Sequence, residues 1–222
     1  MTYLSELKKL FFHPKQFFSS VDKDKDYSKI MFFYVKIAII SAILSIIVSL
    51  IVLIIQNNLT LLDSISLVIN AAIGIGMAFL IPFIIAALVH LGVLIFRGRQ
   101  GYYNTYKPIT YSLVIAAVYG VILTAISAIL SMLTPISQVD MTDPTLLLQN
   151  KNILISIAIT LTILTLSFIH SLVVQVIGVS KFQKMSKIRA FFSIILIPII
   201  IAILVLIIGS YIFSILSASG LP

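Results

Sequence analysis

Residues 30–55 read IMFFYVKIAIISAILSIIVSLIVLII, with Lys36 as their only charge. As an α-helix this run would be about 39 Å long at 1.5 Å per residue. That exceeds a hydrocarbon core of about 30 Å, so the run is long enough to cross a membrane. Lys36 lies near its start, where a lysine can reach back to the headgroups along its own methylenes. Four further apolar runs follow, over residues 65–96, 109–133, 152–180 and 190–216. The chain of 222 residues is 60% hydrophobic and only 10% charged, with a mean hydropathy of +1.19. A soluble domain carries about 25% charged residues, so water is not the solvent for most of this surface.

The segments between the runs set the expected topology. Of the 15 Lys and Arg residues, seven lie in the N-terminal segment through Lys36. Arg97, Arg99 and Lys107 lie in the second connection, and Lys181, Lys184, Lys187 and Arg189 in the fourth. The third connection holds only Lys151, and the first connection and the tail hold none. Positive charge accumulates on the cytoplasmic side of polytopic proteins. The expected fold is therefore all-α: a polytopic bundle of five transmembrane helices, N-terminus inside and C-terminus outside. We expect one membrane domain over residues 1–222. It comprises a cytoplasmic amphipathic segment (1–29), the bundle (30–216) and a short tail (217–222). The net charge of +8 follows from this asymmetry and gives no reason to expect nucleic acid. The charged first thirty residues do not read as a cleavable leader.

Residues 2–21 carry apolar side chains at helical spacing: Tyr3, Leu4, Leu7, Leu10, Phe11, Phe18 and Val21. Pro14 suits the first turn of a second helix. Two short amphipathic helices follow, lying in the membrane interface or packed beneath the bundle. Asp22, Asp24 and Asp26 copy the opening of a calcium loop. The positions needing Gly and a bidentate acid hold Tyr27 and Phe33 instead, so the segment reads as a linker. Asn58-Leu59-Thr60 is a glycosylation sequon set too near the membrane for use. Asp143-Pro144 could start a short helix in the third connection. In the second run, Pro82 is expected to kink the helix, as is Pro198 in the fifth. The pairs Ala72/Gly76 and Gly74/Ala78, with small residues such as Gly120 in the third run, would let helices approach closely. They could close the monomer or form a homodimer.

Chemistry is sparse. No Asp or Glu occurs within any run, no Cys occurs at all, and there is no phosphate-binding loop, HExxH or GxSxG. Buried carboxylates drive proton-coupled transport and intramembrane hydrolysis, so an enzyme has no residues to carry it, and no cofactor is expected. What remains is Asn70, His90, His170 and Gln175. His90 and His170 lie about 9 Å and 14 Å from the inner ends of their runs and could share a depth. They would line an inward cavity or glue helices together. Two histidines without a third ligand make a poor zinc site. The exposed basic set, Lys8, Lys9, Lys15, Arg97, Arg99, Lys107, Lys181, Lys184, Lys187 and Arg189, would meet anionic headgroups of the inner leaflet or a partner.

Leu10-Phe11-Phe12-His13-Pro14-Lys15-Gln16-Phe17-Phe18, the basic glycine-containing turn ahead of Tyr106 to Tyr111-Ser112, and VSKFQKMSKIRAFF from Val179 follow one another in the order of a known family. In them the chain resembles the Yip family, the Ypt/Rab-GTPase-interacting five-span membrane proteins. The Asp-Leu-Tyr-Gly-Pro signature and long soluble N-terminal region of eukaryotic members are missing. Val114 and Ile115 stand where many prokaryotic members have a proline. The chain is thus similar to a short prokaryotic or archaeal-type member. The resemblance implies a non-enzymatic role in membrane trafficking or organisation at the cell membrane, with lipid, another membrane protein or a small GTPase as partner. A small transporter or channel using His90 and His170 is the alternative.

Overall fold

The computed structural model describes residues 3–21, 26–55, 60–133 and 151–218. Seven helices are present among them: α1 (Tyr3–Phe12), α2 (Pro14–Ser20), α3 (Tyr27–Ile55), α4 (Leu61–Ile95), α5 (Tyr103–Leu133), α6 (Lys151–Phe182) and α7 (Lys187–Ala218). No strand occurs among the described residues. The five long helices are each apolar and long enough to cross a membrane. Most of the Asp22–Asp26 linker, the Asn58-Leu59 part of the sequon, the Asp143-Pro144 segment and the end of the tail lie outside the described residues.

α5 lies at the centre, packed on α3 and α6, while α4 joins α7, α3 and α5, and α6 also meets α7. α2 packs on α6. The buried side chains cluster toward one end of the bundle. They come from residues 30–35 of α3, 78–93 of α4, 106–115 of α5, 174–182 of α6 and 190–194 of α7. Beyond them, large apolar side chains such as Ile43, Ile47 and Ile51 on α3, and Ile203 to Ile208 on α7, are exposed. Hydrocarbon is as good a solvent for isoleucine as another isoleucine is, so apolar area alone does not pull helices together in a bilayer. The packed end is also the basic end, where the N-terminal helices and the α4–α5 and α6–α7 turns meet.

Three boundaries differ from the sequence reading. Leu61–Ser64 begin α4 rather than close a loop, and α6 continues to Phe182. Tyr103–Pro108 form the first turns of α5. Proline removes one backbone donor, but near a helix start the lost bond is limited to that turn, and the apolar face of Tyr106, Ile109 and Val114 packs there. α4 remains one helix across the buried Pro82, and α7 across Pro198.

Of the small residues singled out in the sequence, Ala78 is buried in the core, while the glycines are open within the monomer. Gly74, Gly76 and Gly120 have nothing within 4 Å of where a Cβ would stand. Close approaches between helices occur at Gly92, against the backbone of Ser193, and at Gly178, against Pro108 and Phe18. Gly92 thereby lets α4 meet α7, and Gly178 lets α6 meet α5 and α2. Gly178→Val is expected to lower the unfolding temperature in detergent through about 1–3 kcal/mol of overpacking. Gly120→Ala should hold or raise it, since alanine is favoured over glycine in a helix by about 1 kcal/mol. Equal behaviour of the two variants would contradict this packing.

Candidate functional site at the basic end

The two turns at this end close in the same way. α4 ends with Gly98 N–H donating to Val93 O (2.8 Å) and Arg97 N–H to Leu94 O (3.1 Å). α6 ends with Met185 N–H donating to Ser180 O (3.0 Å) and Lys184 N–H to Lys181 O (3.3 Å). Both are Schellman motifs, whose left-handed residue is usually glycine. Here it is Arg97 (φ 64°) and Lys184 (φ 52°), and both side chains are exposed.

Gln183 fastens the two turns together. It is only 2% exposed. Its Nε2 donates to Gly101 O and Thr105 Oγ1, each at 2.9 Å, and its Oε1 accepts from Gln100 N–H at 3.0 Å. Thr105 Oγ1 is 2.9 Å from His90 Nδ1. Having accepted from Gln183, the hydroxyl still has a proton and a second lone pair for the ring nitrogen. The His90 ring stands edge-on to Tyr102, 5.6 Å away, and Tyr102 donates to Phe83 O at 2.8 Å. Burial, then the neighbouring Tyr27 and Tyr106, push the Tyr102 phenol up to about 12.

His170 belongs to a different network. Its Nε2 donates to Phe11 O (3.1 Å), its Nδ1 is 3.4 Å from the Tyr119 hydroxyl, and its ring meets Phe11 edge-on at 5.1 Å. The two histidines therefore do not form one polar site. Asn70 is exposed on α4. Gln175 is half-buried and lines a cavity with Ser171 and Pro198, between α4, α6 and α7. A second cavity, of about 590 Å³, lies between α3, α4 and α5, with Ser49, Ser66 and Thr124 on its wall. Neither histidine lines either cavity.

Two of the basic residues face inward. Lys107 is 1% exposed. Its ammonium donates to Val21 O at 2.7 Å and lies 5.4 Å from the Tyr103 ring and 4.8 Å from the Phe182 ring. It is thus not part of a lipid-facing set. The helical start of α5 turns it into the core, where a carbonyl and two π faces replace water. Lys181, half-buried, donates to Phe18 O (3.0 Å) and Ser19 Oγ (3.1 Å). Helix C-termini carry partial negative charge and carbonyls without an intrahelical donor. His170, Lys107 and Lys181 supply donors to such carbonyls at the ends of α1 and α2.

These contacts also place the two short helices. From His170 to Lys181 is eleven residues of α6, about 16 Å. α6 itself has 32 residues, about 48 Å, and so exceeds the hydrocarbon core by about 18 Å. α1 and α2 sheathe a length of α6 similar to that surplus. Leu10, Phe17 and Phe18 are buried against the bundle, while Leu4 and Phe12 remain exposed. Of the two sequence readings, packing against the bundle describes the inner face of these helices. Of the ten basic residues singled out in the sequence, Lys8, Lys15, Arg97, Arg99, Lys184, Lys187 and Arg189 are exposed and Lys9 is half-buried.

Gln183 carries no sequence signal, being one polar residue in a polar turn. Lys107 could have been found only by extending the helical pattern back through Pro108. No group of His, Asp and Glu suited to a metal occurs among the described residues. Set against known families, residues 8–209 match the Yip1 domain. No curated protein and no solved structure matches the chain.

Gln183→Leu removes the hydrogen bonds to Gln100, Gly101 and Thr105, each worth about 0.5–1.5 kcal/mol, and should lower the unfolding temperature. An unchanged temperature would mean that the clamp contributes nothing. Subtracting the alkaline tyrosine titration of Tyr102→Phe from that of the native chain should leave one phenol ionising near pH 12. A raised phenol pKa favours the neutral folded form. Its stabilisation is complete below the ordinary tyrosine range and is lost as pH rises from there through about 12.

Proposed function

This chain belongs to the Yip1 domain family, and we propose that it is a non-enzymatic, multi-pass organiser of the cell membrane whose working surface is its basic end. The family is one of membrane trafficking, and the five apolar helices make the protein an integral membrane protein. The positive-inside asymmetry supports a cytoplasmic position for the basic end. Its partners there are anionic headgroups of the inner leaflet, or a membrane protein or small GTPase with an acidic face.

One observation carries this reading. Arg97 and Lys184 occupy left-handed positions that cost a residue with a Cβ roughly 1 kcal/mol or more and glycine almost nothing. Each turn therefore holds an exposed cation where fold stability alone favours glycine. Gln183 bonds the two turns into one surface, so Arg97, Arg99 and Lys184 are presented together. Backbone strain of this kind points to use rather than architecture.

The same geometry separates function from folding. Arg97→Gly with Lys184→Gly removes two charges while relieving both left-handed positions. Proteoliposomes of the double variant should dock to phosphatidylglycerol vesicles with roughly fivefold lower affinity per charge lost. Phosphatidylcholine vesicles and high salt should remove the difference. The unfolding temperature should stay level or rise. Undiminished docking by a well-folded variant would overturn the proposal. Deleting α1 and α2 would be a poorer test, because it strips Phe17 and Phe18 from the core.

A further inference from the structure

The cavity between α4, α6 and α7 has a volume of about 470 Å³. It holds a polar group that the fold leaves unused. Ser171 lines it, is 9% exposed, and its buried hydroxyl has no hydrogen-bond partner among the described residues. Several serines and threonines in these helices satisfy themselves locally. Thr110, Ser112, Ser156, Thr162 and Ser193 each donate to a carbonyl three or four residues back. Ser171 does not. Gln175, one turn nearer the basic end on the same helix, lines the same cavity. Pro198 and Ile194 also line it. Proline has no N–H, so the Ile194 carbonyl loses its usual helical donor.

The wall is graded. α6 runs toward the basic end and α7 away from it, so Gln175, Ser171 and Ile194 lie on the basic side, with Phe168, Ile199 and Ala202 deeper. The volume decides the kind of occupant. A helix about 10 Å across needs more than 1,000 Å³ for three turns, so another span does not fit inside. The cavity falls within the 300–1,000 Å³ typical of small-ligand sites, which are mostly apolar with a few placed polar groups. We infer that it binds one hydrocarbon chain of a membrane amphiphile, whose hydroxyl or carbonyl oxygen is held by Ser171 and Gln175 and whose tail points away from the basic end. The protein then holds a lipid within the bundle, beside and independent of the charged surface that meets headgroups.

The test uses the whole protein in phosphatidylcholine nanodiscs and a long-chain alcohol bearing a diazirine near its far end. Photolysis should label peptides containing Phe168 or Ala202. Hexadecanol should compete better than hexadecane by the three- to tenfold that one net hydrogen bond gives. Ser171→Ala should abolish that preference, and Ala202→Phe, which fills the deep end, should abolish labelling. Thermal unfolding keeps the result interpretable. An unpartnered hydroxyl contributes nothing to the fold, so Ser171→Ala should leave the unfolding temperature level or raised. A marked fall would show that the hydroxyl is bonded within the protein and would overturn the inference. Equal competition by alcohol and alkane, or no label at these peptides, would overturn it too.

Discussion

The ammonium of Lys107 is almost wholly buried at the start of α5. A cation taken out of water must find acceptors nearby or lose its charge. It finds the Val21 carbonyl and the faces of Tyr103 and Phe182, which tie α2, α5 and α6 at one point. The dependence runs both ways. α2 has seven residues, far fewer than an isolated helix needs in water. It forms because Pro14 fits its first turn, because Phe17 and Phe18 bury against Tyr111 and Phe182, and because Lys107 and Lys181 meet its terminal carbonyls. The end of the short helix gives the cation an acceptor, and the cation helps to order the end of the helix.

From this point the order of the basic end spreads. Tyr111 packs edge-on against Phe17 and Phe33 and so joins α2, α5 and α3. Tyr106 stacks on Phe83 and brings in α4. Gln183 and Thr105 then set the two turns against each other, with His90 attached. Gly92 admits the backbone of Ser193, and α7 closes the packed end. Each step uses an aromatic contact, a hydrogen bond or a close backbone approach. Those are the interactions that retain value where lipid can replace any purely aliphatic contact.

Composition and run length make the membrane class, the five spans and the basic end legible in the sequence, because each depends on solvent rather than on neighbours. Neighbours are what a single sequence leaves open. Gly76 and Gly92 both lie in the same apolar helix, yet only Gly92 has a partner against it. His90 and His170 look alike by depth, but depth says nothing of azimuth, and they face separate networks. Lys107 sits one residue before a proline, which reads as a loop. The packing of Tyr106 and Ile109 outweighs that local preference and carries the helix back to Tyr103. Of the candidate polar residues, Gln175 lies on the wall of the cavity between α4, α6 and α7.

The unequal packing along the bundle bears on how a protein with no Asp or Glu in its apolar runs could act on a membrane. Toward the basic end the five spans are held by directional contacts, which are satisfied in one arrangement and lost in others. Away from it they present isoleucine and leucine to lipid, and their separation there changes little in free energy. The resistance of the bundle to changes in shape is therefore concentrated in one layer. The proposed amphiphile between α4, α6 and α7 would lie at the lower edge of that layer. A partner gripping Arg97, Arg99 and Lys184, as proposed, would lie at its upper edge. Whatever biases the spacing of the five helices acts most economically there, because a shift of the two turns is passed through Gln183 and the α4–α7 contact, whereas a contact among the exposed isoleucines only exchanges protein for lipid.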